Sequence, residues 1–254
     1  MGGNLNKFGN KTMSRSVSEN KERLAHRYFR WSSENECLEY FDKNITDKDN
    51  PKGTNVTVKL PFTFVPLDVL ATIKGWDDAS GSAIFSNEVK DLAKQDLVVK
   101  TFKNGEFATG KYAAIKDKVA ARGGRFSNSV YIGYYEGKDF VIGNLQIVGA
   151  SLGSWIDYCK AYPRYKDEGA VKITGATKEK KGATKYSKPI FENTTLSDAT
   201  NALAVELDKQ LQAYLKTYFG GVLHESTDVT PQEEIPAENN SKPVTTDVSD
   251  GLPF

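Results

Sequence analysis

Between Asn55 and Phe191 the apolar residues of this chain recur mostly at every second position, and a period of two commits a chain to strands that bury one face. Val56, Val58 and Leu60 alternate with Thr57 and Lys59. β-branched and aromatic runs over 62–73 and 96–103 predict further strands of the same sheet. Residues 125–135 and 139–148, joined by Glu136-Gly137-Lys138, predict a hairpin, and 170–177 with 184–191 predict a second.

Helical periodicity appears in four places, two of them inside this stretch and one on either side of it. Residues 19–31 carry Leu24, Tyr28 and Trp31 at i, i+4 and i+7, and 34–41 extend or follow that helix. A second helix over 111–122 ends at Gly123-Gly124, and a third spans 151–162. The last, over 196–219, places Leu203, Leu207, Leu211, Tyr214 and Tyr218 on one stripe, which suits packing on the domain. Residues 1–18 read as a disordered polar and basic arm, 19–219 as the folded domain, and 220–254 as a disordered acidic tail rich in Pro, Glu, Thr, Asn and Ser. Many short strands with interposed helices predict a mainly β, α+β fold: a small barrel of the oligonucleotide/oligosaccharide-binding (OB) type, elaborated by terminal helices.

The net charge of +1 hides an asymmetry. From Glu225 onward there are seven acids against Lys242, a net −6, while the rest of the chain carries +7. A basic body suits a polyanion, and an acidic tail suppresses non-specific binding. Cys37 and Cys159 are too few for a disulfide framework, and with His26 and His224 they make no zinc spacing, so a reducing cytoplasm and no metal are expected. No apolar run approaches the length of a membrane span and no leader is evident, so no membrane partner is expected.

Binding a single strand without sequence preference needs cations for phosphates and flat rings for bases. Both are interleaved between Lys100 and Lys138: Lys100, Phe102, Lys103, Phe107, Lys111, Tyr112, Arg122, Arg125, Tyr131 and Tyr135 belong to this stretch, against only Glu106, Asp117 and Glu136. Strict alternation puts Arg125, Tyr131, Gly133 and Tyr135 on one face and Phe126, Val130, Ile132 and Tyr134 on the other. The second set makes the better core, so Arg125, Tyr131 and Tyr135 are the stronger binding residues, unless the tyrosines merely cover a sheet edge. In the last hairpin Lys180, Lys181, Lys185 and Lys188 would clamp phosphates, with Tyr186 for stacking; an ordinary solvated hairpin tip is the other reading.

Residues 105–112, Gly-Glu-Phe-Ala-Thr-Gly-Lys-Tyr, match the phosphate-loop spacing up to its last position. Tyr112 cannot replace the magnesium-holding hydroxyl, and Phe107 and Glu106 would crowd the loop, so a turn in a basic hairpin is expected instead. No spacing links Ser, His and Asp into a catalytic set. Neither an enzyme nor a cofactor is expected.

The run Thr245-Thr246-Asp247-Val248-Ser249-Asp250-Gly251-Leu252-Pro253-Phe254 resembles the acidic tail of bacterial and phage single-stranded DNA-binding proteins, although Gly251 interrupts it and the family's Asp run is denser. Residues 171–191 are similar to the terminal hairpin of the phage members. The resemblance implies a protein that coats single-stranded DNA in phage replication, recombination and repair, in the host cytoplasm. It also implies that Asp247, Asp250, Leu252, Pro253 and Phe254 recruit replication or recombination proteins: the ring enters an apolar pocket and a terminal carboxylate meets a cation at its rim. A strand-annealing or recombination-mediator protein would share the basic groove, and a metal-dependent nuclease is a rival of a different class.

Overall fold

The computed structural model describes residues 24–221 apart from Asp47 and Glu168. In chain order the elements are β1 (Tyr28–Ser32), β2 (Cys37–Asp42), β3 (Thr54–Val58), β4 (Phe62–Asp77), β5 (Ser82–Ser86), β6 (Leu97–Thr101) and β7 (Gly105–Gly110). Helix α1 (Tyr112–Ala121), β8 (Gly124–Glu136), β9 (Asp139–Val148), α2 (Ala150–Ala161), β10 (Ala170–Lys181), β11 (Thr184–Thr194) and α3 (Asp198–Gly221) complete the fold. It is mainly β with helices, an α+β arrangement.

The sheet runs β3-β2-β1-β9-β8-β4-β5-β6-β7 and is open, with β3 and β7 at its ends. Strand β4 organises it. Its first residues pair with β10, its middle with β8 and its last with β5. A bulge between Pro66 and Asp68 separates the β10-paired start from most of the β8 ladder, and such a bulge bends a long strand.

One face of the sheet, here called inner, buries two cores. Phe29, Leu38, Val130, Ile132, Tyr134 and Leu145 meet Trp155 of α2 and Ile173 of β10 in the first. Trp155 is the plug: its ring packs on Tyr158, Tyr165 and Phe191 at centroid distances of 5.6, 5.3 and 5.2 Å. The second core joins Ala71 and Ile73 of β4 to Ile84, Leu97 and Val99, closed by Ile115 and Val119 one turn apart on α1. Helix α1 ends against β4 so closely that a Cβ on Gly123, at φ +89°, would lie 2.3 Å from the Trp76 carbonyl oxygen. Only glycine fits there.

The outer face carries α3. Leu207, Leu211 and Leu215 cover Leu70, Tyr131 and Ile142, while Leu203, expected on the buried stripe, is 46% exposed. Ala204 takes its place facing the sheet.

Three expectations are corrected or sharpened. Tyr28 to Trp31 form strand β1 rather than the end of a helix, because Phe29 and Trp31 alternate inward with β1 hydrogen-bonded between β2 and β9; residues preceding 24 lie outside the description. Residues 37–42 are strand β2, not a helical continuation. The phosphate-loop-like segment is strand β7, paired to β6. The polar arm, 1–18, and most of the tail lie outside the described residues.

Candidate nucleic-acid interface

Residues 171–173 of β10 pair with 62–64 of β4, and beyond the register shift at Ile173/Gly175 the strand pairs only with β11. The remainder is a two-stranded ribbon. Its tip turns at Gly182, whose φ of +61° favours glycine. In its register Thr177 faces Lys188, Lys178 faces Ser187, Glu179 faces Tyr186, Lys180 faces Lys185, and Lys181 faces Thr184.

The ribbon is held at its side, not its tip. Ser187 is buried, and its N–H donates to Ser33 Oγ at 2.8 Å while its hydroxyl donates to the Ser33 carbonyl at 2.7 Å. Trp31 Nε1 donates to Ser187 Oγ at 3.1 Å, and Lys178 pairs with Glu36 at 2.7 Å. These bonds bridge the ribbon to the β1–β2 turn without a strand ladder between them.

On the opposite ribbon face Lys188 Nζ sits 2.8 Å from Glu179, which also accepts the Tyr186 hydroxyl at 2.7 Å. These hydrogen bonds lower the Glu179 pKa and raise those of Lys188 and Tyr186. Both predicted groups are therefore engaged within the ribbon. Lys180, Lys181 and Lys185 are exposed at the tip. Among the described residues Lys180 and Lys185 meet no carboxylate, although like charges directly opposite across a strand pair are unfavourable.

A second basic set lies on the outer sheet face. Register pairs Lys100 with Phe85, Phe85 with Lys74, and Lys74 with Arg125, so four side chains from β6, β5, β4 and β8 form one row at strand spacings of about 4.8 Å. Trp76 lies two residues along β4 on the same face. Lys100 and Arg125 are expected from sequence; Lys74, Phe85 and Trp76 are not. Their signal is the alternation of Thr72, Lys74 and Trp76 with Ala71, Ile73 and Gly75, obscured by apolar residues on both faces earlier in β4. Burial lowers the Lys74 pKa, with Glu88 opposing that shift.

The other expected residues are spread over the fold. Phe102 is 46% exposed in the β6–β7 turn, and Lys103 Nζ donates to the Gly81 carbonyl at 2.9 Å. Phe107 and Tyr112 pack against the second core. Arg122 lies over the Phe107 ring at 4.7 Å and pairs with Asp77 at 2.8 Å, and Lys111 pairs with Asp96 at 2.8 Å. Tyr135 is 50% exposed, packs against Phe140 with the rings tilted and their centroids 4.9 Å apart, and shares a 3.1 Å hydrogen bond with Thr200. Asp247, Asp250, Leu252, Pro253 and Phe254 lie outside the described residues.

Tyr131, expected to stack a base, is buried instead. Alternation places it on the outer face as expected, but α3 covers that part of the face and leaves the residue 5% exposed. Its ring is a floor for the helix, not a platform for a base. Its hydroxyl donates to Glu88 at 2.9 Å, Ser129 Oγ donates to the other carboxylate oxygen, and Asn144 Nδ2 donates to Ser129 at 2.7 Å. The Glu88 N–H donates to the Tyr218 hydroxyl oxygen at 3.0 Å, which joins this network to the end of α3. Sequence periodicity gives no sign of it, because Glu88 lies in the β5–β6 connection.

No family model, curated protein or solved structure matches the chain. Among the described residues no three His, Cys, Asp or Glu side chains converge as a metal site, and no helix is long and apolar enough to cross a membrane.

Proposed function

We propose that this protein binds single-stranded DNA through an OB-like domain, in phage-type replication, recombination or repair, and that its acidic segment recruits partner proteins. The observation that carries the reading is the Lys180–Lys185 pair: two facing ammonium groups at the tip of an arm that β4 does not extend. An arrangement that is unfavourable alone becomes favourable when a phosphate lies between the charges. Arg125 and Lys100 of the outer row supply further basic groups with Phe85 and Trp76 beside them, a composition that suits a strand whose bases are unpaired. Ser33 and Ser187 tie the base of this arm to the β1–β2 turn and so fix where its tip stands. The Asp247–Phe254 resemblance supports the recruiting role.

The test is fluorescence anisotropy of labelled oligonucleotides at matched salt. Single strands bind more tightly than duplex of the same length, and affinity falls as salt rises. Equal affinity for both forms overturns the reading.

A further inference from the structure

A groove of about 390 Å³ lies between α2 and the ribbon, a size typical of sites for small organic groups, roughly 300–1,000 Å³. Tyr162, just past the end of α2, is 44% exposed, and Ile190 on β11 is 37% exposed; both line the groove from different elements. Tyr158 forms its buried aromatic floor, with its ring centroid 5.1 Å from that of Tyr162. Large exposed apolar groups beside an aromatic floor fit a flat ligand.

The charges in the groove say which part of a nucleotide enters. Asp157 and Glu179 line it against Lys188 alone, and Lys188 is already paired with Glu179. A phosphate is repelled there. The lysines that suit phosphates stand outside, at the ribbon tip: Lys181, two residues beyond Glu179, shares the groove's side of the ribbon, while Lys180 and Lys185 between them project from its other face. We infer that the groove is a base-binding subsite: a single strand held by its phosphates at Lys180, Lys181 and Lys185 turns one nucleobase inward, against the Tyr162 ring. This rests on the proposed binding of single strands and adds where a base is held.

The experiment measures affinity of the full chain and three variants, Tyr162→Ala, Tyr162→Phe and Lys180→Ala/Lys185→Ala, for a labelled oligothymidylate, for an abasic strand and for a duplex of equal length. Because Tyr162 is exposed, its truncation leaves the core in place, and circular dichroism verifies this. Tyr162→Ala is expected to weaken oligothymidylate binding by roughly 5- to 140-fold, the range of one lost base–aromatic stack, while Tyr162→Phe binds like the parent. On the abasic strand the parent and Tyr162→Ala bind equally. If Tyr162→Ala binds oligothymidylate like the parent while the double lysine variant is weakened, the subsite is overturned and the proposed function stands. If the parent itself does not prefer single strands to duplex, both fall.

Discussion

The Tyr131 hydroxyl donates to the Glu88 carboxylate at 2.9 Å beneath α3, so a carboxylate from the β5–β6 connection is held against the outer face of the sheet by groups from β8. Burial dominates its titration and raises the Glu88 pKa above its ordinary value of 4.5, against the lowering effects of Ser129, Tyr131 and Lys74. In the window above 4.5 the folded chain therefore binds more protons at this site than the unfolded chain, and stability falls as pH rises through it. Carboxylates lowered by the fold, such as Asp42, which accepts the Asn44 N–H and pairs with Arg27, slope the opposite way. Thermal melts across this range are expected to show a smaller loss of stability with rising pH for Glu88→Gln than for the parent. Identical pH slopes for the two proteins refute the assignment.

Tyr131→Phe separates a structural tyrosine from a stacking one. Removing a hydroxyl that donates to a buried carboxylate is expected to cost about 1.5–3 kcal/mol of stability. The phenyl ring is retained and α3 still covers it, so DNA affinity at a temperature where both proteins are folded is unchanged. Urea unfolding and anisotropy measured on the same preparations check both halves.

Much of the sheet is legible in the sequence because its inner face alternates cleanly. Val130, Ile132 and Tyr134 are core, and the hairpins 124–148 and 170–194 turn where Gly137 and Gly182 predict. Strand β1 is not legible. Tyr28 and Trp31 lie on opposite faces of an extended strand, yet their spacing of three also fits a helix, and only pairing with β9, more than a hundred residues later, decides between them. The site is divided in the same way. Local alternation correctly orients Tyr131 outward, whereas its covering by α3 is a tertiary event that a strand's own period does not encode. The row from Lys100 to Arg125 needs three registers, none of them visible in a single segment.

The Lys180–Lys185 pair makes a prediction in which stability and affinity move differently. Lys180→Ala/Lys185→Ala removes a repulsive cross-strand contact at an exposed tip, so the melting temperature stays level or rises slightly. Binding to single strands weakens, and the slope of log affinity against log salt becomes shallower by roughly 1.4, about 0.7 for each lost phosphate contact. An unchanged slope would show that the ribbon tip does not touch the backbone.

The last prediction concerns residues 225–254, whose net charge of −6 stands opposite +7 on the rest of the chain. Opposite charges on one chain attract, and an acidic segment tethered to a basic body competes with a polyanion for the same cations. Deleting 225–254 is therefore expected to strengthen single-strand binding at low salt. The gain shrinks near physiological ionic strength, where the screening length falls to about 8 Å. Removing Phe254 alone leaves the charge of the segment nearly unchanged and DNA affinity with it, yet abolishes capture of a replication partner if the apolar tip is what the partner's pocket accepts. Anisotropy of the parent and both truncations at two salt concentrations, with pull-down by purified replication proteins, measures the two effects separately. A deletion of 225–254 that weakens DNA binding at low salt would place the segment among the DNA-binding elements instead of against them.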